Sequence, residues 1–293
     1  MLKSLTSLRP PNQDPKVLGL LTLGGLLIAI HLSLSWHEDD SDFLGLSLIV
    51  WFAVINLLQR KTHQLVLASQ ILPSLLGASL IGIVLLRSFN AQINPGLTII
   101  PLLGGLGLAL LASGFAGLKI YWRELLILSL LAVPRELGYA LGNVANSLAL
   151  LTAKLSGFFL WYLGATVSVV GNTLRFPEGD VVITEACAGV STLLYLLKVA
   201  LIFLLLFPLS QRLYAWLVPF FALGLALGMN ILRIAILAVL SPTNVDSFTY
   251  WHEGEGSNLF SLISVILFGS FYLFLMRQDR LWRSKKKKPT EAS

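Results

Sequence analysis

The chain has one cysteine, Cys187, in the run Thr184-Glu185-Ala186-Cys187-Ala188-Gly189-Val190-Ser191, where a polar segment enters a long apolar one. At the N-terminus of the helix that such a run predicts, the dipole and the free N–H groups favour an anion, and the thiolate is the nucleophilic form of sulfur. The competing reading is a small buried hydrophobe, the common state of a lone cysteine in an apolar helix. Further along, Gly228-Met229-Asn230-Ile231-Leu232-Arg233-Ile234-Ala235 sets an amide and a guanidinium three residues apart, hence on one helix face. Arg233 lies about 10 Å, by helical rise, from the end of its apolar stretch at Leu240. Either it snorkels to the interface, or it meets a carboxylate or a developing oxyanion, which its fork of donors suits. The third group is His252 in Phe248-Thr249-Tyr250-Trp251-His252-Glu253-Gly254-Glu255-Gly256. Histidine exchanges protons near neutral pH, and Glu253 or Glu255 would bias its tautomer; beside Tyr250 and Trp251 it also fits an aromatic belt. Taken together, a thiol, an imidazole and a guanidinium are the parts of an acyl transferase or a cysteine protease.

Those residues sit in a chain of 293 residues that is 56% hydrophobic and 12% charged, with a mean hydropathy of +0.79. A soluble domain carries about a quarter of its residues charged, so the composition argues for an all-α polytopic membrane protein and against a soluble or disordered one. One cysteine excludes an intramolecular disulfide, a cysteine-based zinc cluster and an iron–sulfur site from this chain alone; no metal, cofactor or nucleic acid is expected. Crossing about 30 Å of hydrocarbon takes roughly 20 apolar residues. Eight stretches come close: Val17 to Ser35, Phe43 to Leu58, Ala68 to Leu86, Leu97 to Leu118, Leu125 to Leu141, Gly189 to Leu209, Tyr214 to Leu240 and Asn258 to Met276. Pro134 and Arg135-Glu136 interrupt the fifth. Residues 1–293 thus read as one integral membrane domain: N-terminal helices over 1–141, an extracytoplasmic cap over 142–188, the reactive helices over 189–276 and a basic tail over 277–293.

Lys and Arg gather on the cytoplasmic side of short loops. With the N-terminus inside, that side holds Lys16, Arg60, Lys61, Lys119, Arg123, Arg212 and the tail ending in Lys285 to Lys288, which also touches anionic lipid. The loop Trp36 to Asp42 and the segment Ser241 to Ser257 carry neither Lys nor Arg and fall outside. The net charge of +6 therefore divides into a basic inner side and an acidic outer one. Both termini are expected in the cytoplasm, and Cys187, Arg233 and His252, from three consecutive spans, all in the outer third of the membrane. In the cap, Val144 to Gly164 is apolar at helical spacing but broken by Asn146, Ser147, Thr152, Lys154 and Ser156, which predicts a helix lying in the interface. Val167 to Phe176 around Gly171-Asn172, then Pro177 to Asp180 and Val181 to Thr184, predict a small β-hairpin-like sheet.

Glu185-Ala186-Cys187-Ala188-Gly189, followed by Asn230-x-x-Arg233 and a His252-Glu253-x-x-Gly256 loop, resembles the exosortase/archaeosortase family, and the Asn172-x-Leu174 hairpin extends the likeness to roughly Ser147 to Met276. The N-terminal half and hairpin are similar to the cyanoexosortase subgroup. The resemblance implies a peptidase or transpeptidase of the plasma membrane with its active site facing the periplasm or exterior. Its partners would be exported proteins ending in a Pro-Glu-Pro-like motif, a transmembrane helix and a basic tail. On this chain it implies Cys187 as nucleophile forming a thioester, Arg233 as oxyanion or thiolate stabiliser and His252 as proton shuttle, with Glu185, Asn230 and Glu253 supporting. Glu185 orients His252 or Arg233, or makes a structural hydrogen bond; Arg175 binds the signal motif or locks the hairpin. Lys198, about 16 Å down its span from Cys187, pairs with a neighbouring helix or receives the substrate helix. The alternatives are a transporter using Lys198 and Arg233 for an anionic solute, and an accessory protein of exopolysaccharide export; neither requires the thiol.

Overall fold

A computed structural model describes residues 15–38, 40–61, 67–89, 97–133, 142–184, 187–240, 245–252 and 254–287. Glu185, Glu253 and the Arg135-Glu136 pair lie outside the described residues. The chain divides into two compact units, Met1–Pro134 and Arg135–Ser293. Among the described residues, six helices are long and apolar enough to cross a membrane: Pro15–His37, Ser41–Arg60, Ile71–Ser88, Val144–Tyr162, Arg212–Leu240 and Glu255–Ser284. Shorter apolar helices, Ile100–Ser113 and Val190–Leu206, accompany them. The protein is an all-α, multi-pass membrane protein with one small sheet.

The first unit contains α1 (Pro15–His37), α2 (Ser41–Arg60), α3 (Ile71–Phe89), α4 (Ile100–Ile120) and α5 (Trp122–Ala132). Asp40 starts α2 by accepting the Phe43 N–H at 2.9 Å, one of the donors a helix N-terminus leaves open. Helices α3 and α4 cross closely: a Cβ on Gly77 would lie 2.6 Å from the Gly107 carbonyl oxygen. Small residues matter here because lipid offers helices no hydrophobic drive to associate, so packing must supply it. Gly114, at φ 61 and ψ −151, breaks α4 and shortens its apolar run. Lys61 joins α2 to α5, with Nζ 2.8 Å from both carboxylate oxygens of the buried Glu124 and donating to the Ile120 carbonyl at 2.7 Å. That contact brings the Arg60-Lys61 loop to the same end of the unit as Lys119 and Arg123.

Of the fifth apolar stretch, read from the sequence as Leu125 to Leu141, the described part is helical to Ala132. Val133 is extended at φ −71 and ψ 109, the conformation a residue before proline prefers, and residues 134–141 are not described.

The second unit holds α6 (Gly142–Tyr162), β1 (Ser168–Val170), β2 (Thr173–Phe176), β3 (Gly179–Val182), α7 (Val190–Leu206), α8 (Arg212–Leu240), α9 (Val245–His252) and α10 (Glu255–Lys287). The segment expected to lie flat, α6, has a 19-residue apolar stretch that meets the length requirement for crossing, so length does not separate the two placements. Its own packing is clear. Ala145, Ala149 and Ala153, four residues apart, form a smooth face in one buried cluster with Ile234, Ala235 and Ala238 of α8, with Leu174 of β2 and with Ile183 just after β3. Gly157 continues that face, and a Cβ there would collide with Val169 of β1. The antiparallel sheet has order β1-β2-β3, with Val169 opposite Leu174 and Leu174 opposite Val181. The sequence-predicted hairpin is thus a three-stranded meander.

Helix α10 runs well beyond the predicted Asn258 to Met276 and holds the α7–α8 connection at both ends. The fully buried Tyr272 hydroxyl donates to the Phe207 carbonyl at 2.7 Å and the Phe203 carbonyl at 3.1 Å, capping the end of α7. About two turns further on, the buried Asp279 carboxylate accepts the Ser210 N–H at 3.2 Å and the Gln211 N–H at 3.1 Å, capping the start of α8. Arg283 pairs with the same carboxylate at 2.9 Å. Each bond satisfies a helix-end group that a membrane interior leaves without water.

Candidate active site

Three elements meet around the thiol: the residues that lead from β3 into α7, the C-terminal half of α8, and the end of α9. Cys187 lies in a single tight turn whose N–H donates to the Thr184 carbonyl at 3.0 Å. Two residues later Gly189, at φ 85, starts α7 in the left-handed region that side-chain-bearing residues rarely adopt. The sulfur therefore sits at the helix N-terminus, as the sequence predicted, half-buried and unpaired by any disulfide.

Asn230 holds that turn. Its side chain is 3% exposed and its Nδ2 donates to the Cys187 carbonyl at 3.1 Å. A Cβ on Gly189 would stand 2.6 Å from Asn230 Cγ and 2.7 Å from Nδ2, so the amide reaches the turn only because residue 189 has no side chain. From the other side Thr152 of α6 donates to the Ala188 carbonyl at 3.4 Å. Gly189→Ala should strain the left-handed backbone by about 1–2 kcal/mol and also push Asn230 off the Cys187 carbonyl. The expected result is a lower melting temperature in detergent and slower alkylation of Cys187, with Gly189→Ala plus Asn230→Ala melting above the sum of the two single losses. Strict additivity would show that the two residues do not constrain one another.

His252 ends α9 and comes to the thiol from the far side of the chain: its Nε2 is 3.5 Å from Cys187 Sγ, within hydrogen-bond reach for sulfur. Phe248, one turn earlier, stacks on the imidazole with centroids 5.1 Å apart and planes 12° apart, which fixes the ring face. Arg233 Nη2 donates to the His252 main-chain carbonyl at 2.9 Å. A cation on the last carbonyl of α9 complements both the orphan acceptor and the negative end of the helix dipole. Arg233 therefore grips the backbone that carries the imidazole. Two buried polar atoms at this junction, Arg233 Nε and Asn230 Oδ1, have no hydrogen-bond partner among the described residues. A donor and an acceptor left open beside a thiol–imidazole pair suit a bound amide better than an apolar ligand.

Of the residues singled out in the sequence, Cys187, Asn230, Arg233 and His252 come together, and Glu185 and Glu253 fall outside the described residues. Lys198 is placed two turns into α7, away from the thiol. Arg175 lies on the exposed face of the sheet, its Nε 3.4 Å from Asp180 on β3. Sequence reasoning missed the stacking of Phe248 and the hold of Thr152. The signal for Phe248 was its spacing of four from His252, which puts both on one face once α9 is helical. Among the described residues no three His, Cys, Asp or Glu side chains cluster as metal ligands would.

The sequence model of the transmembrane exosortase family matches residues 34–269, most of the chain. No curated protein and no solved structure matches it.

Proposed function

The chain belongs to the transmembrane exosortase family, and we propose that it is a membrane-embedded cysteine peptidase or transpeptidase that removes C-terminal sorting signals from exported proteins. The observation that carries this reading is the 3.5 Å approach of Cys187 Sγ to His252 Nε2 at a helix N-terminus, with a cation anchored to the same histidine residue. In the reaction, Sγ attacks the carbonyl carbon of the scissile peptide as its proton passes to His252. The tetrahedral intermediate collapses, the C–N bond breaks and His252 returns the proton to the leaving amine. The acyl group remains on Cys187 as a thioester until an acceptor amine or water attacks it, again with His252 taking the proton. Arg233 supplies positive charge while its Nη2 keeps the imidazole in place, and Asn230 keeps the sulfur in place.

The substrates in this reading carry a Pro-Glu-Pro-like motif, an apolar helix and a basic tail, and the site opens to the periplasmic or outer side, with both termini in the cytoplasm. An apolar substrate helix would approach laterally through the bilayer. The test is to mix the purified chain in proteoliposomes with a reporter ending in those three parts and to quench in acid. Mass spectrometry should find the reporter's N-terminal part linked to Cys187, released by hydroxylamine. Cleavage of the reporter with no adduct at Cys187, under conditions where the thioester is stable, would refute the covalent route.

A further inference from the structure

We propose that the outer edge of β3 binds the polypeptide substrate as an added strand, so that the segment to be cut reaches Cys187 extended along main-chain hydrogen bonds. The proposal rests on the peptidase reading above and says how that site takes its substrate.

Strand β3 is the last in the order β1-β2-β3 and is paired on one side only. Its register opposite β2 is Phe176 with Gly179, Arg175 with Asp180, Leu174 with Val181 and Thr173 with Val182. One residue further, the Ile183 N–H donates to the Asn172 carbonyl at 2.9 Å, and Asn172 Nδ2 donates to the Ile183 carbonyl at 2.9 Å. Hydrogen-bonded pairs alternate along an antiparallel ladder. With Ile183 turned towards β2, Val181 and Gly179 are turned the same way, and Asp180 and Val182 direct their N–H and C=O groups outwards. Thr184 continues the outward series with its N–H, while its carbonyl holds the Cys187 N–H at 3.0 Å. The open row of main-chain groups therefore ends at the residue that fixes the nucleophile's turn.

Side chains agree with this alternation. Ile183 is buried, and Val181 packs on the same cluster as Leu174, whereas Val182 is 57% exposed on the other face. Among the described residues no strand pairs with the β3 edge. Edge strands are usually guarded by charges or proline facing the open side. Here the one charge on β3, Asp180, is turned across the ladder to Arg175.

A row of alternating donors and acceptors fits another peptide backbone, and lipid has nothing to match it. The nucleophile adds its own requirement: a scissile carbonyl in a helix is already bonded and sterically covered, so the cut segment must be extended. An added strand bonded at Asp180, Val182 and Thr184 needs about five residues, roughly 16 Å at strand rise, and ends within one turn of Cys187.

The test uses the full chain in proteoliposomes and the same reporter. Val182→Pro removes an outward N–H without touching the β2–β3 ladder, and proline is tolerated at such a position. It should lower kcat/KM at least tenfold, mainly through KM, while Val182→Ala, which keeps the N–H, stays well above it. Alkylation of Cys187 by iodoacetamide at the wild-type rate shows that the Val182→Pro site is intact. Should Val182→Pro fail to fold, the wild-type chain decides: synthetic reporters N-methylated at one residue at a time should lose cleavage at alternate positions. Equal kcat/KM for the proline and alanine variants, or N-methylation losses without a period of two, overturns strand addition. A Cys187→Ala chain that cleaves the reporter as the wild type does overturns the peptidase reading itself, as does a wild-type chain that leaves it whole. Inactive Cys187→Ala beside an unaffected Val182→Pro rejects the strand alone.

Discussion

Replacing Cys187 by alanine should reduce processing of a sorting-signal reporter by at least ~10³-fold, because the reaction loses the atom that becomes the thioester and water has no comparable nucleophile in its place. The protein itself should survive. The sulfur is half-buried and makes one contact within hydrogen-bond reach, to His252. Its removal opens a space of about one small atom, a loss of roughly 1 kcal/mol. The turn around it is held by main-chain groups: the residue 187 N–H on the Thr184 carbonyl and the residue 187 carbonyl on Asn230. Cys187→Ala should therefore accumulate in membranes at the wild-type level, with a melting temperature lowered by only about 2–4 °C. Loss of processing together with normal accumulation is the expected pattern; reporter processing within tenfold of wild type would end the enzyme reading and return the transport and accessory alternatives.

His252→Ala is expected to lower processing by about 10²–10⁴-fold, the range that loss of a general acid and base commonly covers. The geometry makes this a chemical effect more than a structural one. Arg233 holds the main-chain carbonyl of residue 252, which alanine keeps, so the end of α9 should stay in place when the ring is removed. What disappears is the proton acceptor at 3.5 Å and the stacking on Phe248, the latter about 0.5–1.5 kcal/mol. Alkylation of Cys187 by iodoacetamide should slow in parallel with processing, since both need the thiol deprotonated. Arg233→Ala should differ: releasing the carbonyl lets α9 drift, so its loss should be accompanied by a change in how the thiol is shielded, read as altered protection of Cys187 from a bulky maleimide. Equal alkylation rates for wild type and His252→Ala would show that the imidazole does not serve the sulfur.

The helices were legible because hydrocarbon imposes one rule on every span, and a run of apolar residues of sufficient length obeys it wherever it occurs. A boundary moved where a local rule outranked hydropathy, as at Gly114 inside α4. The candidate site residues stood out for the converse reason: polar groups are costly in apolar helices, so Asn230 and Arg233 were conspicuous in α8, and Cys187 and His252 lie where apolar runs begin or end. Their connections were not legible. Spacing alone points Arg233 at a carboxylate, an oxyanion or the interface; in the fold its Nη2 donates to the carbonyl of His252, a contact that depends on where α9 ends and that no spacing encodes. Nor does sequence separate an amide that lines a site from one that holds a turn; Asn230 does the second because Gly189 leaves it room. The same limit hid Tyr272 and Asp279, whose partners come within reach only where α10 lies against the α7–α8 connection.

That clamp bears on the order in which the molecule comes into being. Ribosomes deliver Cys187 well before His252, and both before Tyr272 and Asp279. Until α10 emerges, the carbonyls of Phe203 and Phe207 and the N–H groups of Ser210 and Gln211 lack the partners that close the α7–α8 hairpin. A nascent chain therefore carries its thiol without the imidazole and without the brace that aligns the two helices presenting the site. The thiol is thus made before the imidazole that approaches it and before the helix that braces the α7–α8 connection, so the arrangement around Cys187 is assembled only after α10 has been synthesised.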